Sequence, residues 1–125
     1  MTKILLVEDN HGFRELFKEC LKEYIQDSSI KVTVVEAQNP IEGLQICTKH
    51  DYDFDFIVCD FFLPIQNGLD FLEIVKTHGK RIKCLLISAE QSSRLKISPY
   101  IDKFFLKSDM ESLVKYLEEK IHSGY

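Results

Sequence analysis

The stretch DFIVCDFFLPIQNG, residues Asp55 to Gly68, combines a buried-strand pattern with an abrupt stop at a carboxylate. Its apolar run ends at Asp60, and Pro64 and the pair Asn67-Gly68 follow soon after. Proline, asparagine and glycine are the residues that favour turns. An acid at the end of a buried strand, with a turn directly behind it, predicts a site in a surface crevice.

Composition limits the classes of protein that this chain can represent. Its 125 residues suffice for one domain with a sizeable core, which we place at residues 1–125. A net charge of −4 argues against a direct nucleic-acid ligand, because such a protein needs a basic face. The apolar runs fall well short of the roughly 20 residues of a membrane span, and the start does not resemble a signal peptide. We therefore expect a cytoplasmic protein with no membrane partner.

The four cysteines are dispersed and never form a C-x-x-C pair. They are Cys20, Cys47, Cys59 and Cys84, and each has apolar neighbours. This arrangement favours buried, reduced thiols over a metal or redox site.

Strand-like runs alternate with helical patterns along the whole chain. The predicted strands cover residues 3–7, 31–37, 54–60, 81–88 and 102–107. Such alternation predicts an α/β protein, in which a doubly wound, five-stranded parallel sheet carries helices on both faces.

Short capping signals predict where the helices begin and end. Asn39 is a predicted N-cap, Asn67-Gly68 is predicted to start the third helix, and Gly79 is a predicted C-terminal cap. Ser108 and Glu111 form an S-x-x-E capping box that we expect to open the last helix.

Polar residues follow the predicted strands at the edge where a parallel sheet binds its ligands. Glu8 and Asp9 follow the first strand, Asp60 ends the third, Ser88 the fourth and Lys107 the fifth. Three clustered carboxylates repel one another and call for a hard cation such as Mg²⁺. A lysine and a hydroxyl facing that ion can hold phosphoryl oxygens, and a carboxylate beside it can form an acyl phosphate.

Four motifs, LLVEDN, DFIVCDFFLPIQNG, LISAE and FFLKSD, occur in this order and resemble the receiver domain of bacterial two-component response regulators. The resemblance covers essentially the whole chain and implies the flavodoxin-like strand order 2-1-3-4-5. It implies that Asp60 is the phosphoacceptor and that Glu8 and Asp9 hold Mg²⁺ or Mn²⁺ with it. The main-chain carbonyl of Phe62 would be a further metal ligand.

The same resemblance implies how the signal is formed and passed on. Lys107 would bind the phosphoryl group, Ser88 would be the switch hydroxyl, and Phe104 would be the switch aromatic. The chain would catalyse only its own phosphorylation and dephosphorylation, so it would not be an enzyme in the ordinary sense. Its expected partners are a sensor histidine kinase or phosphotransfer protein, a downstream protein target or an output domain, and a second copy in a phosphorylation-dependent homodimer.

The chain departs from the pattern of its relatives at several positions. Glu8 stands where many relatives have aspartate, which leaves open a water-mediated contact with the metal. The usual lysine-proline is Lys107-Ser108, and we expect a trans peptide there because a cis bond before a non-proline residue costs about 2.5–4 kcal/mol. The segment between Ser88 and Lys107 is short, which predicts a short or irregular fourth helix.

Three alternatives remain open at this point. A flavodoxin-like binder of flavin or nucleotide shares the architecture, but VEDNHG is acidic where such a binder needs a Gly-, Ser- or Thr-rich phosphate loop. A hydrolase of the aspartyl-phosphate type needs a second acid near its nucleophile and a substrate cap, and no inserted segment could serve as the cap. The chain could also be a receiver domain cut from a DNA-binding regulator or a larger signalling protein.

Overall fold

The computed structural model describes residues 1–79, 81–90 and 98–125, and its strands form one parallel sheet in the order β2-β1-β3-β4-β5. The strands are β1 (Thr2–Val7), β2 (Val32–Ala37), β3 (Phe56–Asp60), β4 (Lys83–Ser88) and β5 (Lys103–Leu106). The described helices are α1 (His11–Tyr24), α2 (Pro40–Lys49), α3 (Gly68–His78) and α4 (Met110–Ser123). Both the predicted fold class and the predicted strand order are confirmed.

Two hydrophobic cores lie on opposite faces of the sheet. Alternate residues of the central strands enter each core, so that Leu5 and Ile57 face one side while Leu6 and Val58 face the other. Helices α2 and α3 cover the first core, and α1 and α4 cover the second. Because β1, β3 and β4 are buried on both faces, their carboxyl ends are held rigidly at one edge of the sheet.

Local capping signals set three of the helix ends as predicted. The Asn39 side chain accepts a hydrogen bond from Glu42 N at 2.9 Å, and the Asn67 side chain accepts one from Asp70 N at 2.8 Å. The N–H of Gly79 donates to the Val75 carbonyl at the end of α3. Each cap satisfies a terminal main-chain group that has no partner within the helix.

The predicted capping box at Ser108 is wrong by one residue. A turn closed by the hydrogen bond from Asp109 N to Leu106 O, at 2.9 Å, carries the chain past Ser108. Asp109 is the N-cap of α4, because its side chain accepts a hydrogen bond from Ser112 N at 3.2 Å. The return from β5 therefore displaces the helix start from the position that the S-x-x-E pattern predicts.

The loop between β3 and α3 folds tightly against the end of β3. Gln66 N donates to Pro64 O at 2.9 Å, and Ile65 between them has a φ of +77°, a strained value for a β-branched residue. Gly68 N then donates to Phe61 O at 2.9 Å. A Cβ on Gly68 would overlap the main-chain oxygen of Asp60, so only glycine allows α3 to begin this close to the strand.

Two expectations concern the segment after β4. The predicted short or irregular fourth helix falls mostly on residues 91–97, which lie outside the described residues. The Lys107–Ser108 peptide is trans, as predicted.

The cysteines are free thiols, as their dispersed positions predicted, but Cys20 is only half-buried. Cys47, Cys59 and Cys84 are buried in the first core, where burial raises the thiol pKa of all three above the ordinary value. No helix in the described part of the chain combines the length and the apolar character needed to cross a membrane.

Candidate functional site

Three carboxylates meet where β1 and β3 end side by side. Glu8 and Asp9 follow β1, Asp60 is the last residue of β3, and Val7 lies opposite Cys59 in the strand register. One carboxylate oxygen from each acid lies within 4.8 Å of the others. The structure thus brings together the three acids that the sequence placed at this edge.

Glu8 is fully buried, and most of its polar atoms have partners. Its N–H donates to Ala37 O at 2.9 Å, and its Oε2 accepts a hydrogen bond from Asn10 N at 3.0 Å. Within the described parts of the chain Oε1 makes no hydrogen bond of good geometry, although Lys107 Nζ lies 2.5 Å away in an ion pair. Burial raises the pKa of Glu8 to about 7; the Lys107 contact lowers it, and the nearby Asp60 carboxylate raises it.

Asp60 is nearly as deeply buried, with an exposed fraction of 4%. Its Oδ1 accepts a hydrogen bond from Phe62 N, and its Oδ2 accepts one from Lys107 Nζ, both at 3.3 Å. Burial raises the pKa of Asp60 above its ordinary value, and the Lys107 ammonium offsets part of that rise. The acid is therefore poorly hydrated and held in place on both oxygens.

Lys107 follows β5 and spans the gap between two of the acids. Its side chain is 21% exposed, and its ammonium contacts Glu8 and Asp60 together. The ring of Phe13 lies under the same ammonium, with its centroid 4.7 Å from Nζ. Burial lowers the pKa of Lys107, but the two carboxylates outweigh this and leave the pKa above its ordinary value.

The donor set fits a hard divalent cation. Of the three clustered carboxylates, Glu8 and Asp60 contact the Lys107 ammonium, and a buried oxygen of Glu8 lacks a hydrogen bond in the described structure. Carboxylate oxygens with open space for water and phosphate are the ligands that Mg²⁺ prefers, and Mn²⁺ accepts the same set. Phe62 borders the cluster through its N–H, while the role predicted for its carbonyl stays a prediction.

Ser88 and Phe104 lie on neighbouring strands. Ser88 ends β4, is fully buried, and its Oγ accepts a hydrogen bond from Glu90 N at 3.2 Å. Phe104 in β5 lies opposite Leu86 in β4, and Leu86 comes two residues before Ser88. Phe104 and Ser88 are therefore on the same face of the sheet. Phe104 is half-buried against the first core, whereas Phe105 is buried in the second, because neighbouring residues of a strand face opposite sides of the sheet.

Sequence reasoning missed three residues that surround the acids. Asn10 caps α1 and bonds Glu8, Phe13 contacts the Lys107 ammonium, and Arg14 is a buried cation on the inner face of α1. Phe13 belongs to an apolar stripe of α1 with the buried Phe17 and Leu21. The available signal for Arg14 was its place beside this stripe, where a charged residue needs a buried partner.

Comparison with known proteins identifies the family of the chain. The family profile described as "Response regulator receiver domain" matches residues 4–118. The "Regulator of RpoS" of Escherichia coli K12 is 31% identical over 90 residues, which cover 72% of this chain and 24% of that protein. The "Chemotaxis protein CheY" of Halobacterium salinarum is 25% identical over 108 residues, which cover 84% of this chain and 83% of that protein.

A solved structure of similar fold covers nearly the whole chain. The response regulator protein TrrA from Thermotoga maritima, in complex with Mg(2+)-BeF, superposes with a TM-score of 0.80. It is 26% identical to this chain, and the match covers 97% of this chain and 99% of TrrA.

The chain belongs to the response regulator receiver domain family, since the profile matches most of its length and the fold and strand order agree. It is a receiver domain of the two-component response regulators. The chain spans 24% of the length of the "Regulator of RpoS" proteins that it matches, so the activity of a whole regulator does not transfer with the family.

Proposed function

We propose that Asp60 accepts a phosphoryl group from a sensor histidine kinase or phosphotransfer protein, with Mg²⁺ or Mn²⁺ held by Glu8, Asp9 and Asp60. The observation that carries this proposal is a buried carboxylate that two further acids and one lysine face at the edge of the sheet. The complex of the related TrrA with Mg(2+)-BeF supports the choice of ion. The main-chain carbonyl of Phe62 would complete the protein's share of the ligands.

The proposed reaction transfers phosphorus from nitrogen to oxygen. One oxygen of Asp60 attacks the phosphorus of a donor phosphohistidine, the P–O bond forms, and the N–P bond breaks with its electron pair left on the imidazole nitrogen. When bound, the ion supplies positive charge to the phosphoryl oxygens. Hydrolysis by water returns inorganic phosphate and the free carboxylate.

Lys107 and Ser88 give the phosphoryl group its protein contacts in this proposal. Lys107 already lies 3.3 Å from Asp60, so its ammonium can move from the carboxylate to a phosphoryl oxygen. A hydroxyl that accepts one hydrogen bond can still donate its proton, and Ser88 would donate to the phosphoryl group. To donate this hydrogen bond, Ser88 would move inward toward the phosphoryl group. Phe104, which lies on the same face of the sheet, would change its position in response.

The proposed role is regulatory and cytoplasmic, with no turnover of a separate substrate. Family membership supports a partner kinase and a response passed to a downstream protein target, an output domain or a second copy of this chain. The acyl phosphate carries up to about two negative charges at pH 7 in place of the single charge of the carboxylate, and its added oxygens accept hydrogen bonds.

Labelling with a small phosphodonor tests the proposal. Acetyl phosphate with Mg²⁺ should add one phosphoryl group, seen by intact mass, and EDTA or the substitution Asp60→Ala should abolish the addition. Asp53→Ala is the matched control, because this aspartate has an exposed side chain remote from the acidic cluster. Labelling that persists in Asp60→Ala would refute the assignment.

A turnover assay separates the receiver from a hydrolase. A receiver incubated with a phosphomonoester should release no more phosphate than its own concentration. Multiple turnover would instead favour the aspartyl-phosphate hydrolase.

A further inference from the structure

A buried arginine lies behind the acidic cluster. Arg14 in α1 is only 8% exposed, and its guanidinium makes contacts in three directions. Nε donates to Glu36 Oε1 at 3.0 Å, Nη1 donates to the main-chain oxygen of Glu8 at 2.8 Å, and Nη2 lies 3.4 Å from His11 Nδ1. Arg14 thus joins β2, α1 and the loop that carries two of the three acids.

Glu8 is held at several points, and Arg14 supplies one of them. The N–H of Glu8 continues the sheet hydrogen bonding to Ala37 O, and Asn10 N holds the side-chain Oε2. Arg14 holds the carbonyl oxygen. These bonds leave Oε1 as the oxygen that contacts Lys107.

Such anchoring matters because the acids repel one another. Three carboxylates with oxygens within 4.8 Å would separate in a flexible loop, and a cation would then have to bring them together again. A loop already fixed in the binding geometry avoids that cost, and its affinity for the cation is correspondingly higher. The charge of Arg14 is paired with Glu36, which Lys18 also contacts.

We propose that Arg14 is a positioning residue for the cation site, which holds the main chain of Glu8 so that the Glu8 and Asp9 carboxylates face Asp60. This inference rests on the proposed binding of a divalent cation by these acids. Arg14 itself touches neither the cation nor the phosphoryl group. Outer partners that orient metal ligands typically change metal affinity 10- to 100-fold when they are removed.

The experiment measures cation affinity and stability separately in the same variants. Mg²⁺ is titrated into the full chain, its Kd is read from the amide shifts of the loop between β1 and α1, and urea unfolding gives the stability. Arg14→Met removes all three contacts. Arg14→Lys keeps the charge but lacks the planar fork that bonds Glu36 and Glu8 together. Leu21→Ala is the matched control, because Leu21 is buried in the same helix away from the acids.

The expected result is a Kd for Mg²⁺ about tenfold weaker in Arg14→Met, and weaker also in Arg14→Lys, with Leu21→Ala within about twofold of wild type despite its lost stability. If Arg14→Met does not fold, Arg14→Lys decides. The proposal is overturned if both Arg14 variants bind Mg²⁺ with the same Kd as Leu21→Ala. It is also overturned if Arg14→Met binds Mg²⁺ more tightly than wild type, because the positive charge of the arginine would then weaken binding more than its positioning of Glu8 strengthens it. A wild-type chain that binds no Mg²⁺ overturns the cation site as well.

Discussion

Replacing Glu8 by glutamine should stabilise the protein in the absence of a divalent cation, and the gain should grow with pH. Glu8 is fully buried, and this burial raises its pKa from an ordinary 4.5 to about 7. The unfolded chain therefore releases this proton at lower pH than the folded chain does. Glutamine has nearly the same shape and carries no proton to release.

The direction of the pH dependence follows from whether the folded or the unfolded chain binds the Glu8 proton more tightly. Between pH 4.5 and about 7 the folded state holds the proton on Glu8 while the unfolded state has released it, so stability falls as the pH rises through this window. At about 1.4 kcal/mol for each pKa unit, the gap corresponds to about 3 kcal/mol lost by pH 8. The lost stability returns when the acids bind a cation, because the ion binds only the folded state.

Urea unfolding from pH 4.5 to 8 in EDTA measures this effect. The unfolding free energy of Glu8→Gln relative to wild type should increase by about 3 kcal/mol across the range. Lys107 stays protonated over the range because its pKa is raised, and its attraction for the ionised Glu8 is already included in the Glu8 pKa of about 7. Glu19→Gln, at an exposed position of α1, should follow wild type throughout.

A stability difference between Glu8→Gln and wild type that does not change with pH would contradict a raised pKa of Glu8 in the folded protein. It would mean that water or a rearrangement of the loop hydrates Glu8 in solution. Repeating the series with saturating Mg²⁺ gives an independent check, since the ion should stabilise wild type more than the variant.

Three further predictions concern the surroundings of the acidic cluster. Gly68→Ala should lower the unfolding free energy by about 1–3 kcal/mol in urea, because its Cβ would overlap the Asp60 carbonyl; an unchanged midpoint would contradict the tight loop. Phe13→Leu should lower the pKa of Lys107 by about half a unit in an NMR titration, since an exposed cation–π contact contributes about 0.5–1 kcal/mol, and an unchanged pKa would mean that the ring is a bystander. Ser88→Ala should still be phosphorylated but should lose the shift changes along β5 and α4 that a phosphoryl mimic induces in wild type; full wild-type changes would contradict the proposed coupling.

Local sequence signals predicted most of the secondary structure because their causes are local. The caps at Asn39 and Asn67 depend on a side chain and the main-chain N–H three residues later. The doubly apolar strands predicted a parallel sheet with two cores, since only strands buried on both faces can be apolar throughout. The S-x-x-E signal at Ser108 failed because the return from β5 positions the start of α4.

The sequence was enough to identify the members of the site, because the acids, the hydroxyl and the lysine all follow strands and parallel strands end at one edge. Their pairing and their protonation depend on how the elements pack together. Three features of the site show this dependence: Glu8 is buried, Lys107 is shared between two acids, and Arg14 contacts the Glu8 main chain. Each of them joins residues that are distant in sequence or depends on how α1 packs. No local pattern encodes these contacts, because the free energy of a buried charge depends on the whole packed environment that excludes water from it.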